Sequence, residues 1–400
     1  MGKTGSKKLL KLAEKHTFSL GVRDLASTLS YQNMMYGLGK MLHVLGNALC
    51  VFGPDATITR NIQRWQSGFG YGAVIRWFED DIMFPEIMPN GCGMIVVKLD
   101  ELPEKKALFE SVSYVEDNEI RLDGVQLKPD FGHGNHFLEF YTPLELSPEL
   151  EDKMPPDCYY AVLHCSSPEK KDDLYGKIDD GNKVKTPLGP ISVLEGNDAK
   201  EYLKTWRDFE SFSKKRREVL MKALLENSQT IINKIHQGVF GDKEIRLGCY
   251  DTLDTSDGNP YFPVTLRWDL PMYMIKGKEN LTKESIARLG FAKRADKLGL
   301  TEELEYANIL PHGGGYRLDI PYSETEIVRS GNRRYFILKE PTIDLLGSDE
   351  KSLQRYGEIT FTNPRELPFD YRGKNVIEKS IEYDLGVPMA KFQPLKTLKV

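Results

Sequence analysis

The sequence predicts a single α+β domain over residues 1–400. Many short apolar runs are bounded by Gly, Pro and Asp, which is typical of strands. One long segment has apolar residues at helical spacing. The predicted strands and helices follow one another without a repeating strand–helix rhythm, which disfavours a Rossmann-type sheet or an α/β barrel. With 400 residues, 40% of them hydrophobic, the chain can bury one large core.

Four apolar runs carry the strand prediction. Each is short and ends at residues that favour turns. They lie at residues 93–99, 158–164, 335–338 and 357–361. The first sixty residues contain a mixed apolar stretch at 33–52, which we interpret as part of the core.

Helical spacing predicts two helices. The longer covers residues 206–236, with apolar positions at Val219, Leu220, Ala223, Leu224, Ile231, Ile232 and Ile235. The second covers residues 280–300, with Thr282 as its N-terminal cap. The basic run at 214–217 within the first helix is interpreted as a solvated face, with RNA contact as the alternative.

Composition excludes several classes of protein. The formal net charge of −5 gives no global electrostatic case for nucleic acid, so an RNA partner would need a local basic patch. No apolar run reaches the ~20 residues of a membrane-spanning helix, and we expect a cytoplasmic protein. The five cysteines are widely spread without a CxxC pair, which argues against a disulfide framework or a zinc ribbon.

Two glycine-containing runs point to phosphate chemistry. Residues 134–139 read Gly-Asn-His-Phe-Leu-Glu, and residues 311–315 read Pro-His-Gly-Gly-Gly. The first places a histidine beside an amide, and the second places a histidine at the start of a glycine-rich turn. Glycine lets backbone N–H groups approach an anion, and a neutral imidazole is both a metal ligand and a nucleophile. The two runs together are suited to metal-assisted phosphate chemistry.

Two further positions complete a candidate metal site. Cys92 lies between glycines just before a predicted strand, and His164 lies at the end of another strand. Together with His136 they would form a mixed sulfur and nitrogen site for manganese or zinc. Taken singly, Cys92 is also typical of a buried small apolar residue, and each histidine of a core or surface residue. Spacing does not decide whether the three side chains meet.

These motifs resemble, in order and in approximate spacing, those of the RtcB family of RNA-splicing ligases. The matching segments are Gly-Cys-Gly-Met at 91–94, the runs at 134–139 and 311–315, and the Leu-His strand end at 163–164. A Gly-Tyr-Gly segment at 70–72 and the C-terminal segment with its penultimate lysine, Lys399, extend the resemblance. It covers residues 66 to 400 and is faint between the motifs.

The resemblance implies a GTP-dependent ligase that joins RNA 3′-phosphate or 2′,3′-cyclic phosphate ends to 5′-hydroxyl ends. His312 would be the nucleophile that carries a covalent guanylate. One or two Mn²⁺ ions would be held by Cys92, His136 and His164. The remaining site residues implied by the resemblance would bind GTP: Asn135, Phe137, Glu139, Gly313, Gly314, Gly315 and Lys399. Of these, Glu139 and Lys399 would read the guanine edge, and the three glycines would supply backbone donors to the phosphate.

The chain also departs from the family pattern. Pro89 stands where the family has an aspartate that binds a second metal, and Asp254 is the nearest substitute for the family's remaining histidine ligand. The family's acidic partner of the nucleophilic histidine falls near Gln66, which predicts that this acid is missing. A catalytically reduced protein that binds metal and nucleotide or RNA therefore stays open as the alternative.

Overall fold

The computed structural model describes residues 3–21, 24–132, 134–318, 324–331, 333–339 and 358–399. Within these ranges the chain combines helices with several β-sheets. The helices are α1 Lys3–Lys15, α2 Leu25–Leu45, α3 Ile62–Ser67, α4 Lys105–Asp117, α5 Pro148–Glu151, α6 Lys171–Tyr175, α7 Lys177–Asp180, α8 Asn197–Leu224, α9 Lys283–Arg288, α10 Ala292–Leu298, α11 Thr301–Glu305 and α12 Asn375–Glu382. The α+β class predicted from the sequence is confirmed.

The strands are numbered in chain order. They are β1 Thr17–Ser19, β2 Ala48–Thr57, β3 Tyr71–Trp77, β4 Ile82–Met83, β5 Gly93–Leu99, β6 Arg121–Leu122, β7 Val125–Gln126, β8 Phe137–Leu146, β9 Tyr159–Cys165, β10 Asn182–Thr186, β11 Gly189–Glu195, β12 Gln229–Ile235, β13 Gln237–Phe240, β14 Glu244–Leu247, β15 Cys249–Asp251, β16 Tyr261–Val264, β17 Met272–Lys276, β18 Ile309–Pro311, β19 Tyr316–Leu318, β20 Glu324–Ser330, β21 Arg333–Lys339, β22 Glu358–Phe361, β23 Phe369–Tyr371 and β24 Val387–Leu398. The four predicted strands correspond to β5, β9, β21 and β22, except that Gly357 lies outside the described residues.

A seven-stranded antiparallel sheet organises the site. Its order is β12-β5-β9-β8-β24-β17-β16. Strands β5 and β9 and the first half of β8 are almost entirely buried, because α4 and α8 cover one face and a second apolar cluster covers the other. Register brings Gly93 of β5 opposite both Ile235 of β12 and Cys165 of β9, and Phe137 of β8 opposite His164 of β9. Four strand ends therefore meet at one edge of this sheet.

A five-stranded sheet lies beside it, in the order β1-β2-β3-β14-β13. Strand β2 is buried along its whole length and packs against α2, so the first sixty residues do form core. The strand pair β15 and β18 joins Cys249 to Pro311 and places the turn that begins at His312 next to Gly248. Strand β2 of the five-stranded sheet, which belongs to the first sixty residues, therefore lies against β18 and close to the glycine-rich turn.

The long helix predicted at 206–236 is wrong at both ends. Helix α8 begins at Asn197 and ends at Leu224, and the chain turns at Leu225 before it enters β12. The apolar residues 231, 232 and 235 that suggested helical spacing belong to this strand, where β-branched side chains pack well on a pleated surface. Three apolar positions are too few to distinguish the helical from the strand periodicity.

The helix predicted at 280–300 is interrupted. Thr282 caps α9 as expected, since its hydroxyl accepts a hydrogen bond from the Ser285 amide at 3.3 Å. The helix then ends before Gly290, whose φ of +74° lies in the left-handed region, and α10 follows.

Among the described helices, none is long and apolar enough to cross a membrane.

The basic run at 214–217 is not a solvated face throughout. Lys214 and Lys215 remain accessible, but Arg216 and Arg217 are completely buried. Arg216 forms an ion pair with Glu169 at 2.8 Å. Arg217 donates to the carbonyl oxygen of Gly91 at 3.1 Å, so it supports the turn before β5 instead of contacting a partner.

Candidate metal centre and adjoining clefts

Four side chains converge where the strand ends meet. Cys92 immediately precedes β5, His136 precedes β8, His164 is the penultimate residue of β9, and His236 follows β12. The Cys92 Sγ atom lies 3.3 Å from His136 Nε2 and 3.1 Å from His164 Nε2. His164 Nε2 lies 3.1 Å from His236 Nε2. The ligand atoms of Cys92, His164 and His236 all lie within 4.8 Å of one another.

These separations fit one divalent metal ion. Ligands at about 2.0–2.3 Å from a tetrahedral ion are themselves separated by roughly 3.3–3.6 Å. The backbone helps to aim the thiol, because Gly91 has a φ of +67° and its amide donates to Gln237. A Cβ at Gly93 would lie 2.3 Å from the Lys234 carbonyl oxygen, so glycine is required there for strand pairing.

The protonation states also suit a metal. Burial lowers the pKa of His164 and His236 well below the usual value, and the neighbouring imidazoles lower it further. Both rings are therefore neutral near pH 7, as metal ligands must be. The His164 Nδ1 proton is donated to the Asn135 carbonyl oxygen at 2.9 Å, which leaves Nε2 with its lone pair facing the cluster.

His136 differs from the other two rings. Its Nδ1 lies 3.1 Å from a carboxylate oxygen of Asp130, which is itself held by the amide and hydroxyl of Ser166. Burial alone would lower the pKa of His136, but Cys92 and Asp130 outweigh it and raise the value to about 10. This carboxylate–imidazole pair orients His136 Nε2 toward Cys92, as is common for metal-ligating histidines. Without a metal the pair favours the protonated ring, so an ion bound at Nε2 would have to displace that proton.

The structure adds one candidate ligand and displaces another. His236 was missed because the sequence interpretation placed it at the end of a helix. The usable signal was its position after an apolar strand, the same signal that marked His164. Asp254 lies elsewhere: its carboxylate accepts from the Ser256 amide at 2.9 Å and lines a different cleft. The expectation that Asp254 replaces a histidine ligand is therefore not met, since His236 already occupies that place.

His312 lies next to the cluster, with its ring 4.2 Å from that of His236. Its Nδ1 donates to the Gly248 carbonyl oxygen at 2.6 Å and lies 3.1 Å from Oδ2 of the fully buried Asp55. Because Nδ1 carries the proton, Nε2 keeps a free lone pair. The expectation of a missing acidic partner is wrong, because β2 supplies Asp55 while Gln66 donates to Thr362 on an exposed surface.

The glycines after His312 serve packing. A Cβ at Gly313 would lie 2.6 Å from the Thr265 carbonyl oxygen, and one at Gly315 would lie 2.7 Å from that of Asp55. The Gly314 amide donates to Thr265 at 3.0 Å, so it is not free to hold a phosphate as expected from the sequence. The three glycines let the turn approach the backbone of Thr265, Arg372 and Asp55, respectively.

A narrow cleft opens beside His312. Its walls include every residue that the sequence interpretation assigned to the nucleotide: Asn135, Phe137, Glu139, His312, Gly313, Gly314, Gly315 and Lys399. The pairing of β24 with β8 sets Thr397 opposite Glu139 and thereby brings the C-terminal segment to this cleft. The Asn135 amide nitrogen lies 3.4 Å from His312 Nε2.

Glu139 and Lys399 form hydrogen bonds with other residues and not with each other. The Glu139 carboxylate accepts hydrogen bonds from the hydroxyls of Tyr141 and Thr397, each at 2.5 Å. Lys399 Nζ donates to the Gly134 carbonyl oxygen at 2.5 Å and lies 3.3 Å from the Tyr371 hydroxyl. Burial raises the pKa of Glu139 to about 6, against the effect of its hydroxyl partners and Lys399. An acid and a cation are thus fixed on one cleft without pairing directly.

A second cleft lies on the other side of the cluster. Cys92 and His136 line it, whereas His164 and His312 line the first. Tyr71, Asn135 and Tyr316 belong to both walls. The second cleft also carries four basic side chains, those of Arg60, Arg64, Lys171 and Arg365. Three of the four candidate metal ligands, Cys92, His136 and His164, therefore lie between the two clefts.

Comparison with known proteins adds no family assignment. No family model matches the chain, and a search of curated proteins gave no match. The functional interpretation therefore rests on the residues and their geometry.

Proposed function

We propose that this protein is a GTP-dependent RNA ligase that joins a 3′-phosphate or 2′,3′-cyclic phosphate end to a 5′-hydroxyl end. The observation that carries the proposal is the setting of His312. Its Nδ1 is fixed by Gly248 and Asp55, and its Nε2 faces a cleft lined by Glu139 and Lys399, beside a cluster suited to a metal. A buried imidazole with a fixed tautomer and an accessible lone pair is suited to nucleophilic attack.

The chemistry would proceed in three transfers. His312 Nε2 forms a bond to the α-phosphorus of GTP as the bond to pyrophosphate breaks. The guanylate then passes to an oxygen of the RNA 3′-phosphate, which releases Nε2. The 5′-hydroxyl attacks the activated 3′-phosphorus and expels GMP. A cyclic phosphate end is first opened by water to the 3′-phosphate.

Cys92, His136, His164 and His236 would hold the metal. A bound Mn²⁺ would stabilise negative charge that develops on the phosphoryl oxygens. Asp55 would keep the proton on Nδ1 of His312 and stabilise the imidazolium character that develops during attack. Glu139 and Lys399 would distinguish guanine, because its edge presents N–H donors to a carboxylate and a carbonyl oxygen to an ammonium group.

The two clefts suggest separate places for the two substrates. GTP would occupy the cleft of Glu139 and Lys399. The RNA end would enter the basic cleft, where Arg60 and Arg365 can neutralise phosphate charge despite the negative charge of the whole chain. The metal ligands between the clefts would place the α-phosphate near the RNA 3′-phosphate.

The alternative is a protein that binds metal and nucleotide without ligation. Two observations favour it: Pro89 cannot coordinate a second ion, and the Gly314 amide is already occupied by Thr265. This alternative would bind GTP and metal and would form no product that joins two RNA ends.

The decisive experiment follows the label from GTP. Incubation with α-labelled GTP and Mn²⁺ should give an acid-labile, alkali-stable protein adduct, and His312→Ala should abolish both the adduct and RNA joining while metal is retained. His43→Ala, a change of an exposed histidine in α2, is the matched control and should behave as wild type. An adduct that persists in His312→Ala contradicts the proposed nucleophile. Binding of GTP with neither adduct nor joining supports the alternative.

A further inference from the structure

A third cleft, lined by none of the candidate metal ligands, carries an excess of positive charge. It shares no lining residue with the two clefts described above. Lys40 from α2, Arg329 from β20 and Arg334 from β21 line it. Glu86, from the turn between β4 and β5, is the one carboxylate among its lining residues. The lining therefore carries three cations against one anion.

The two arginines face each other across a hairpin. Arg329 of β20 pairs directly with Arg334 of β21, so their side chains emerge on the same face. Like charges directly opposite each other in an antiparallel pair destabilise it. A sheet that only needed solubility could place such residues on alternate faces, as it does with the exposed Arg333.

Two of the three cations are buried. Arg334 is 4% exposed, and so is Lys40. One end of the Arg334 guanidinium donates to the carbonyl oxygens of Trp65 and Gln66, but its Nε has no hydrogen-bond partner within the described part of the chain. A buried donor without a partner carries a desolvation cost that a bound acceptor would relieve.

Lys40 is under-compensated as well. Its ammonium group lies 3.4 Å from Glu86 and donates to the Pro190 carbonyl oxygen at 3.3 Å, both long contacts. Glu86 also accepts from the Ser192 amide and lies 3.7 Å from Lys183. Burial lowers the pKa of Lys40 to about 8 against the effect of Glu86, and both arginines lower it further. The ammonium group thus experiences the two guanidinium charges as well as its own carboxylate partner.

We propose that this cleft binds a phosphate group, with Arg329 and Arg334 as its principal ligands and Lys40 beneath them. A phosphate dianion matches the excess of two positive charges, and guanidinium forks bind phosphate oxygens in pairs. The site is independent of the proposed ligase centre. The phosphate is either free inorganic phosphate or the terminal phosphate of an oligonucleotide, since both present the same oxygens.

The test compares two neutralising substitutions on one hairpin. Phosphate binding by the full chain is measured by calorimetric titration against chloride at matched ionic strength, with thermal unfolding as a second readout. Arg329→Gln should weaken phosphate binding by about tenfold or more, because a charged hydrogen bond is lost. Arg333→Gln, the same change on the solvent face of β21, should bind as wild type. Equal affinities in the two variants would overturn the proposal, as would a wild-type protein that shows no phosphate-specific heat or shift.

A conservative variant guards against loss of folding. Arg329 also donates to the carbonyl oxygens of Gly331 at 2.9 Å and Pro187 at 2.7 Å, so its removal could disturb the hairpin. Arg329→Lys keeps the charge and should retain more phosphate binding than Arg329→Gln, whereas no binding in a folded Arg329→Lys protein together with unchanged binding in Arg329→Gln would exclude a charge-based site. Competition then identifies the source. Displacement of phosphate by a 5′-phosphorylated oligoribonucleotide but not by its 5′-hydroxyl counterpart indicates an RNA end, and displacement by neither indicates free phosphate.

Discussion

The sheet edge that carries the candidate metal ligands and the turn that carries His312 are built in different ways. Each of the four metal candidates lies at or next to the end of one strand, and those strands are neighbours in one sheet. His312 instead depends on distant segments, since its two Nδ1 partners come from positions 257 and 64 residues away. The first arrangement is set by strand register, and the second by the packing of two sheets.

This difference predicts different sensitivities. A ligand at a strand end keeps its position through the hydrogen bonds of the sheet, so its replacement should remove metal and leave the fold intact. His312 is oriented by a buried carboxylate and by glycines that touch backbone, so its environment should respond to changes that remove no ligand atom. Substitutions on each side can therefore test whether the two regions act separately.

The largest expected effect is on metal content. Cys92→Ala and His236→Ala should each reduce bound manganese or zinc from about one ion per chain to a small fraction of that, because the four candidate ligands would share one tetrahedral ion. Elemental analysis of the purified protein measures this. Asp254→Ala should leave the content unchanged, and Cys158→Ala, a change of a partly exposed thiol, is the matched cysteine control. Unchanged metal in His236→Ala would show that the sheet edge is not the metal centre.

The sequence located most of this edge through local signals. Cys92 stood between glycines, His136 beside an amide, and His164 at the end of an apolar strand, and all three lie in the cluster. His236 has the same kind of signal, but helical spacing in residues 219–235 concealed the strand before it. The error in the helix predicted at 206–236 and the missed ligand therefore have one cause.

The residues around His312 could not be predicted from local sequence signals. Asp55 lies within a fully buried strand whose sequence gives no sign that it contacts residue 312. Its role depends on how the five-stranded sheet packs against the pair of β15 and β18, and no local pattern encodes that packing. The burial of Arg216 and Arg217 was hidden for the same reason, since a run of four basic residues is usually solvated.

The second prediction tests the dependence of His312 on this distant packing. Asp55→Asn keeps the shape of the side chain but removes the charge that holds the proton on Nδ1. We expect the rate of guanylate adduct formation to fall by about 10²–10⁴-fold, the range usual for loss of a positioned acid–base partner. Metal content should not change. Asp173→Asn, a change of an exposed carboxylate in α6, should have no effect on the rate.

Two measurements separate orientation from general destabilisation in Asp55→Asn. Thermal unfolding reports any loss of fold, and elemental analysis reports whether the metal is retained. If the variant is folded and retains metal yet labels at the wild-type rate, Asp55 does not position the nucleophile. The proposed dependence of His312 on a distant buried carboxylate would then be wrong.

The smallest expected effect concerns nucleotide choice, where the two regions meet in one cleft. Glu139 must be ionised to accept from the N–H donors of guanine, and burial raises its pKa to about 6. The preference for GTP over ATP should therefore be greatest above pH 6 and should decrease as the pH falls through that value.

We expect the ratio of GTP to ATP labelling to drop by roughly tenfold between pH 7.5 and 5, since charged hydrogen bonds are involved. Because the same nucleophile is labelled by both nucleotides, the ratio at each pH isolates the contribution of the base. Glu139→Gln should show the low ratio at every pH, whereas Glu145→Gln, an exposed position on the same strand, should follow wild type. A ratio that is independent of pH in the wild-type protein would mean that Glu139 serves its hydroxyl partners Tyr141 and Thr397 and does not read the base.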